Sequence, residues 1–563
     1  MAAAHPKLWF TALRQTLGGQ ISDEWFASPF HALALRRPRT TGFAATPHDL
    51  RPVDPARGRA LMNGELSFAG QLLAVGPGGD PWNRPSPGIH FAVRLHSFDW
   101  LGDLITLEEP GIVEALRLAL DWRRSFGRWN AFSWRPDVIE RRVFNLACHA
   151  RTLGAPASEL ESGRIAEMLA LQARHLLAIG DAPPRAAERL SAVALAGVSL
   201  AGPAGARLLD RAMPRLEAAL DRAVLADGGH ASRSPQAGLE LLLDLLALDD
   251  GLSQRGRPPA ERLSSAIDRL TAALRFFTLP DGRLAAFQGG EEADPVRIAA
   301  ARAHDAGAAK ASPLNEAPHS GYQRLAGPTL TLMIDTRPPA RERWSVTACG
   351  QPAAIEVLAG RERLISNSGW SAAAAGPQAL RLAAGGSTVA LGAGLVGQPL
   401  GGVLARALGP RLVDGPNHVE ARRRENETGV WVEVSHDGWV AAAGLTHERR
   451  LFLDKTQDEL RGEDRFIPAP TALARPLAVA VHFHLHPQVR ALIARDQRSV
   501  LLRGRSPIGW WLRSDASEVS LEPATTFRDG LAVRTLQIIL RGRLRADRGG
   551  RVRWKLAAAT EAV

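Results

Sequence analysis

Two cysteines and one tyrosine in 563 residues narrow what this chain can do. Cys148 and Cys349 lie far apart and match no metal or redox spacing, so they read as small buried apolar residues. With Tyr322 as the sole phenol, chemistry that needs a tyrosine acid or base has one place to find it. Long apolar runs are scarce too: LELLLDLLAL is short and carries acids, so no membrane span is expected. The N-terminal MAAAHPKLWFTALRQTLGG is interrupted by Arg14 and Gln15 before it reaches the length of an export signal, which favours a cytoplasmic chain on sequence alone. No nucleic-acid signature is present.

What is abundant is arginine. Lys plus Arg number 69 against 58 acids, a net charge of +11. Guanidinium forks suit carboxylates and sulfates, so an acidic partner is one reading; a compositional bias that serves solubility is the other.

The texture changes twice along the chain. Residues 1–105 are rich in Pro, Gly, Trp and Arg, as in RPVDPARG and VGPGGDPWNRPSPG, and read as an irregular lead-in segment. From 106 to 310 apolar residues recur at helical spacing. In PQAGLELLLDLLAL, Leu239, Leu242, Leu243 and Leu246 mark one face while Glu240 and Asp244 stack on another. Seven such segments make an all-helical domain. From 315 to 560 short alternating runs such as TLTLMIDT, VWVEVSHDGWV, ERRLFLD and LAVAVHFHLHP lie between turn signals, the pattern of an antiparallel β-sandwich. The fold class expected is multidomain α+β.

Several strings carry a resemblance: ADGGHASRSP at 226–235, PHSGYQRL at 318–325, LISNSG at 364–369, HDGW with THERRLFLD and LRGEDRF between 436 and 466, and FHLHP at 483–487. Together they resemble the heparinase II/III family of polysaccharide lyases, in particular proteobacterial members. The resemblance implies an (α/α) toroid before the sandwich, an acidic polysaccharide such as a glycosaminoglycan as partner, and residence in the cell envelope. It also implies β-elimination, in which an Asn neutralises the uronate carboxylate while a Tyr and a His move protons. The positions that match are Asp181, Ala237 and Gly386, so all three depart from the pattern. A lyase with a rebuilt site and a non-catalytic binder of acidic glycans are therefore both open.

Other side chains are candidates for a rebuilt site. His230 could serve as base and Arg233 could hold a carboxylate, although Ser234 before Pro235 also makes a good helix cap. Tyr322 is a possible acid, and His319 beside it a substrate contact. Trp129 and Trp134 with Arg128 could form a sugar platform. His482, His484 and His486 occupy alternate strand positions and so should share a face, a pattern that suits zinc or another divalent metal; some family members hold a metal in this domain. His436-Asp437 and His447-Arg449 read as structural. A hydrolase would need paired carboxylates, for which Asp227, Glu291, Glu292 and Asp294 are available.

Overall fold

The computed structural model describes residues 6–258, 260–305, 314–372, 378–392, 394–470 and 472–559. The chain forms two compact units, Met1–Val224 with Leu239–Asp268, and Leu225–Gly238 with Arg269–Val563.

The first unit is helical. The stretch expected to be irregular already carries helices: α1 (Pro6–Ala27), α2 (Pro29–Ala34), then Pro55–Met62, Ile89–His96 and Leu101–Ile105, with a small hairpin over 65–74. Pro29 and Pro55 are compatible with these helices because they sit in first turns, where a missing N–H leaves nothing unsatisfied. Pro29 follows the cap Ser28, and Pro55 follows Asp54, whose carboxylate accepts from the Ala56 N–H. Longer helices follow at Glu108–Phe126, Pro136–Leu153, Glu159–Ala178, Ala186–Ser199 and Gly202–Ala223. A reciprocal box between Ser158 and Glu161 starts the third of these. Ala186–Ser199 is buried along its whole length. It can be, because Gly197 and Gly205 let the next helix approach: a β-carbon on Gly205 would lie 2.1 Å from the Leu200 carbonyl oxygen. Two further helices, Pro235–Gln254 and Glu261–Phe277, contribute Leu239–Gln254 and Glu261–Asp268 to this unit.

The second unit is a sandwich of two antiparallel sheets. One has eight strands: β1 (Val419–Glu425), β2 (Gly429–His436), β3 (Leu445–Asp454), β4 (Glu459–Pro468), β5 (Arg490–Ile493), β6 (Ser499–Arg503), β7 (Trp510–Ser514) and β8 (Gly550–Ala558), in the order β1-β2-β3-β4-β8-β7-β6-β5. The other has nine, with Pro476–Leu485 near its centre and the long hairpin Glu518–Arg528/Leu531–Arg545 at one end. Alternation decides the faces. Val430, Val432 and Val434 enter a core shared with Leu332, Ile334, Val481 and Phe483 of the nine-stranded sheet, while Trp431 and Glu433 point away from it.

Candidate functional site

The turn at 225–234, within the second unit, is built for rigidity. Asp227 accepts from the backbone N–H groups of His319 and Ser320 and from the Ser320 hydroxyl, each at 2.7 Å. Arg233 has φ +65°, a left-handed conformation, and its buried guanidinium donates to the carbonyls of Ser320, Gly321, Arg337 and Pro338. Its remaining partner is the Asp335 carboxylate, at 2.5 Å. Burial opposes the arginine charge, and Asp335 offsets this enough to hold the pKa above its ordinary value.

Arg233 therefore has no donor directed at a ligand, and the expectation that it binds a uronate is corrected. His230 is buried beside it, its Nδ1 2.7 Å from the Ser232 hydroxyl and its ring edge-on to Trp344. Tyr322 donates its hydroxyl to the Arg233 carbonyl at 2.7 Å, and burial pushes its pKa well above the ordinary phenol value. The only phenol of the chain thus anchors the turn from a buried position. His319 is exposed and contributes its backbone N–H. Ser234 caps the following helix, as the sequence indicated.

The carboxylates considered for a hydrolase are engaged as well. Glu291 accepts from the Ser371 hydroxyl and the Gly530 N–H, and Asp294 caps the helix Pro295–Arg302. Glu292 faces Arg363 at 3.6 Å, Arg528 at 3.4 Å and His486 at 3.6 Å. Burial works against its charge, yet these neighbours, the Arg363 guanidinium foremost, bring it down to about 2. Glu356 shares Arg363 at 3.0 Å, but burial dominates there and raises it to about 7.

The three histidines of the run turn to separate partners. His482 turns Nδ1 to the Gln537 amide oxygen at 3.0 Å, His484 turns Nε2 to the Ala384 carbonyl at 2.8 Å, and His486 meets Arg528. The first two rings do stack on one face, 6.5 Å apart, whereas His486 lies past the end of the strand. Among the described residues no group of three or more His, Cys, Asp or Glu side chains is placed to hold a metal ion. A second histidine cluster is locked inside the sandwich: His436 meets His447 at 2.9 Å, and His447 meets Asp464 at 2.8 Å. Asp464 also takes the Arg449 guanidinium and the Trp554 indole N–H.

In the helical unit Trp134 is buried, its indole donating to the Phe126 carbonyl at 3.0 Å and its ring against His175. It forms no sugar platform with Trp129, which is half-buried, or Arg128, which is exposed. Asp181 is bound through both oxygens by Arg215. The densest polar cluster here was not expected: Arg51 reaches Asp49, Glu240 and Asp244, Arg141 also reaches Asp244, and Arg185 bridges buried Glu140 to Glu188. Burial raises the pKa of both Glu140 and Glu188. Its one sequence signal was Glu240 and Asp244 stacked on a helix face.

An even plainer feature is α1 with α2. Phe10, Leu13, Leu17, Ile21 and Trp25 run along α1 at helical spacing and are 51% to 72% exposed, and Phe30 and Leu33 continue the exposed apolar surface. Arg36, Arg37 and Arg39 follow, all exposed.

A helical unit followed by an antiparallel sandwich is the architecture of heparinase III, whose crystal structure superimposes with a TM-score of 0.71 at 14% identity, covering 99% of this chain and 92% of that one. Heparan sulfate lyase HepC from Pedobacter heparinus gives 0.56 at 13% identity over 95% of this chain and 88% of its own. At those identities the likeness is one of fold. The heparinase II/III-like C-terminal family matches residues 309–555, and FtsZ-localized protein C of Caulobacter vibrioides (strain NA1000 / CB15N) is 52% identical over 558 residues, 98% of this chain and 96% of that protein. The chain belongs to the heparinase II/III family.

Proposed function

We propose that this chain works beside FtsZ as a non-catalytic member of its family, held at a membrane surface by α1 and α2. The observation that carries the reading is the 52% identity to FtsZ-localized protein C over nearly the full length of both proteins. Lack of chemistry fits the positions matched to the family's catalytic trio, Asp181, Ala237 and Gly386, and the commitment of Tyr322, His230 and Arg233 to internal bonds. Membrane attachment follows from the exposed apolar stripe of α1. Seven large apolar side chains exposed over 24 residues, with three arginines after them, offer an apolar surface beside cations that suits a membrane face with anionic headgroups. No helix among the described residues is long and apolar enough to cross a membrane, so attachment would be to one face.

Vesicle flotation tests both parts. With phosphatidylglycerol vesicles the full chain should float and carry purified FtsZ with it, and Leu17→Glu with Ile21→Glu should leave both at the bottom. A chain that floats while FtsZ stays behind would overturn the FtsZ reading.

The finer enzymatic alternative is β-elimination on a uronate-containing glycan in the cell envelope. It has the family and the fold behind it, and would need a base and an acid recruited from outside the matched positions.

A further inference from the structure

The eight-stranded sheet turns one face to solvent, and pairing across it sets side chains in rows that the linear sequence scatters over some 130 positions. Register puts Arg424 opposite Trp431, Trp431 opposite Phe452, Phe452 opposite Arg461, Arg461 opposite Lys555, and Lys555 opposite Arg513. One row thus crosses six strands, β1-β2-β3-β4-β8-β7, and reads cation, aromatic, aromatic, cation, cation, cation. At about 4.8 Å per strand it is about 24 Å long.

The neighbouring row behaves differently. Arg422, Glu433, Arg450, Glu463 and Arg553 alternate in sign across the same strands. Two of its three cations are paired locally, Arg450 with Glu433 at 2.9 Å and Arg553 with Asp515 at 2.8 Å. In the first row Lys555 pairs with Glu459, Arg461 reaches both Glu459 and, at 3.9 Å, Asp454, and Arg424 and Arg513 form no ion pair among the described residues. The row keeps a net positive charge. Trp431, Phe452, Arg461, Lys555 and Arg513 line a shallow depression of about 550 Å³.

We propose that this row is a docking surface for an acidic polypeptide segment, and that FtsZ supplies the segment. The second half rests on the FtsZ association proposed above. An acidic polysaccharide suits the aromatic step less well. Trp431 and Phe452 are stacked on each other, 4.3 Å apart and 20° from parallel, and the Arg461 guanidinium covers Phe452 at 5.7 Å. The ring faces that meet in this stack are closed to a sugar, and beside them runs a line of cations. That surface fits carboxylate side chains interrupted by an apolar one.

The test uses the full chain against immobilised FtsZ. Arg424→Glu, Arg461→Glu and Arg513→Glu combined should weaken binding about tenfold or more and flatten its dependence on salt. The same change of charge in the helical unit, Arg207→Glu, Arg211→Glu and Arg222→Glu, should leave binding within about twofold. If the first triple variant does not fold, Arg424→Gln with Arg513→Gln carries the same expectation at smaller size, since neither arginine is in an ion pair among the described residues. Equal loss from both triple variants would reduce the effect to net charge and overturn the proposal. So would unchanged binding by the sheet variant, or loss of heparin binding with FtsZ binding intact. If the unaltered chain does not bind FtsZ, the association itself fails; if it binds and the sheet variant binds equally, only this face is wrong.

Discussion

Arg233 holds a backbone conformation that arginine seldom adopts, and its side chain is what keeps it there. Four carbonyls and one carboxylate converge on it. Arg233→Ala would leave Asp335 buried with only Gln288 and the Arg337 N–H, and a loss of about 3–5 kcal/mol is expected from urea denaturation. Arg233→Lys should not recover it, because an ammonium cannot serve that fork of acceptors. Glu356 gives a second expectation. Its folded pKa is about 7 against an ordinary 4.5, so the folded state holds this proton more tightly. Its contribution to stability is present at low pH and is lost as pH rises through about 7. Glu356→Gln should therefore raise the melting temperature at pH 8 by roughly 2–4 °C and leave it nearly unchanged at pH 5. At this scale the sequence disclosed what is local. Ser234 with Pro235 announced a helix start, but the partner of Arg233 lies 102 residues away and no spacing rule reaches it.

Among the elements, strands were legible and the first helices were not. Alternation in VWVEVSHDGWV gives the inward valines directly. In α1 the apolar stripe recurs at helical spacing, but it lies in a stretch whose Pro and Gly density reads as irregular. The histidine run shows the boundary of such reasoning. Period two put His482 and His484 on one face, while Gln537 and Ala384, from other segments, decided that each ring would be a hydrogen-bond partner. The close pairing of Ala186–Ser199 with Gly202–Ala223 cannot be read from periodicity either. It depends on the absence of side chains at Gly197 and Gly205, and Gly205→Ala should cost about 1–3 kcal/mol because its β-carbon meets backbone. Denaturant midpoints of the two single alanine variants would check this, with Gly205→Ala the more damaging.

For the whole molecule, fold and chemistry separate. The order of helical and sandwich units could be read from two periodicities, and the family from a few strings, but activity depends on what occupies a handful of positions. With those positions changed and the lone tyrosine enclosed, no unsaturated uronate is expected from heparin, heparan, chondroitin or alginate. An ultraviolet assay at the wavelength of that product checks it, and product formation that survives Tyr322→Phe would show a site built from other residues.

The knot of His436, His447, Arg449 and Asp464 has a consequence for how this sandwich can change over time. Its members come from β2, β3 and β4 and fit only when those strands are aligned as they are, since sliding one strand by a residue would turn its members to the opposite face. They behave as a key cut across three blades. A chimera that borrows β3 from a relative without β2 and β4 would receive part of a key, so exchanging the three strands together should preserve a stability that exchanging β3 alone loses.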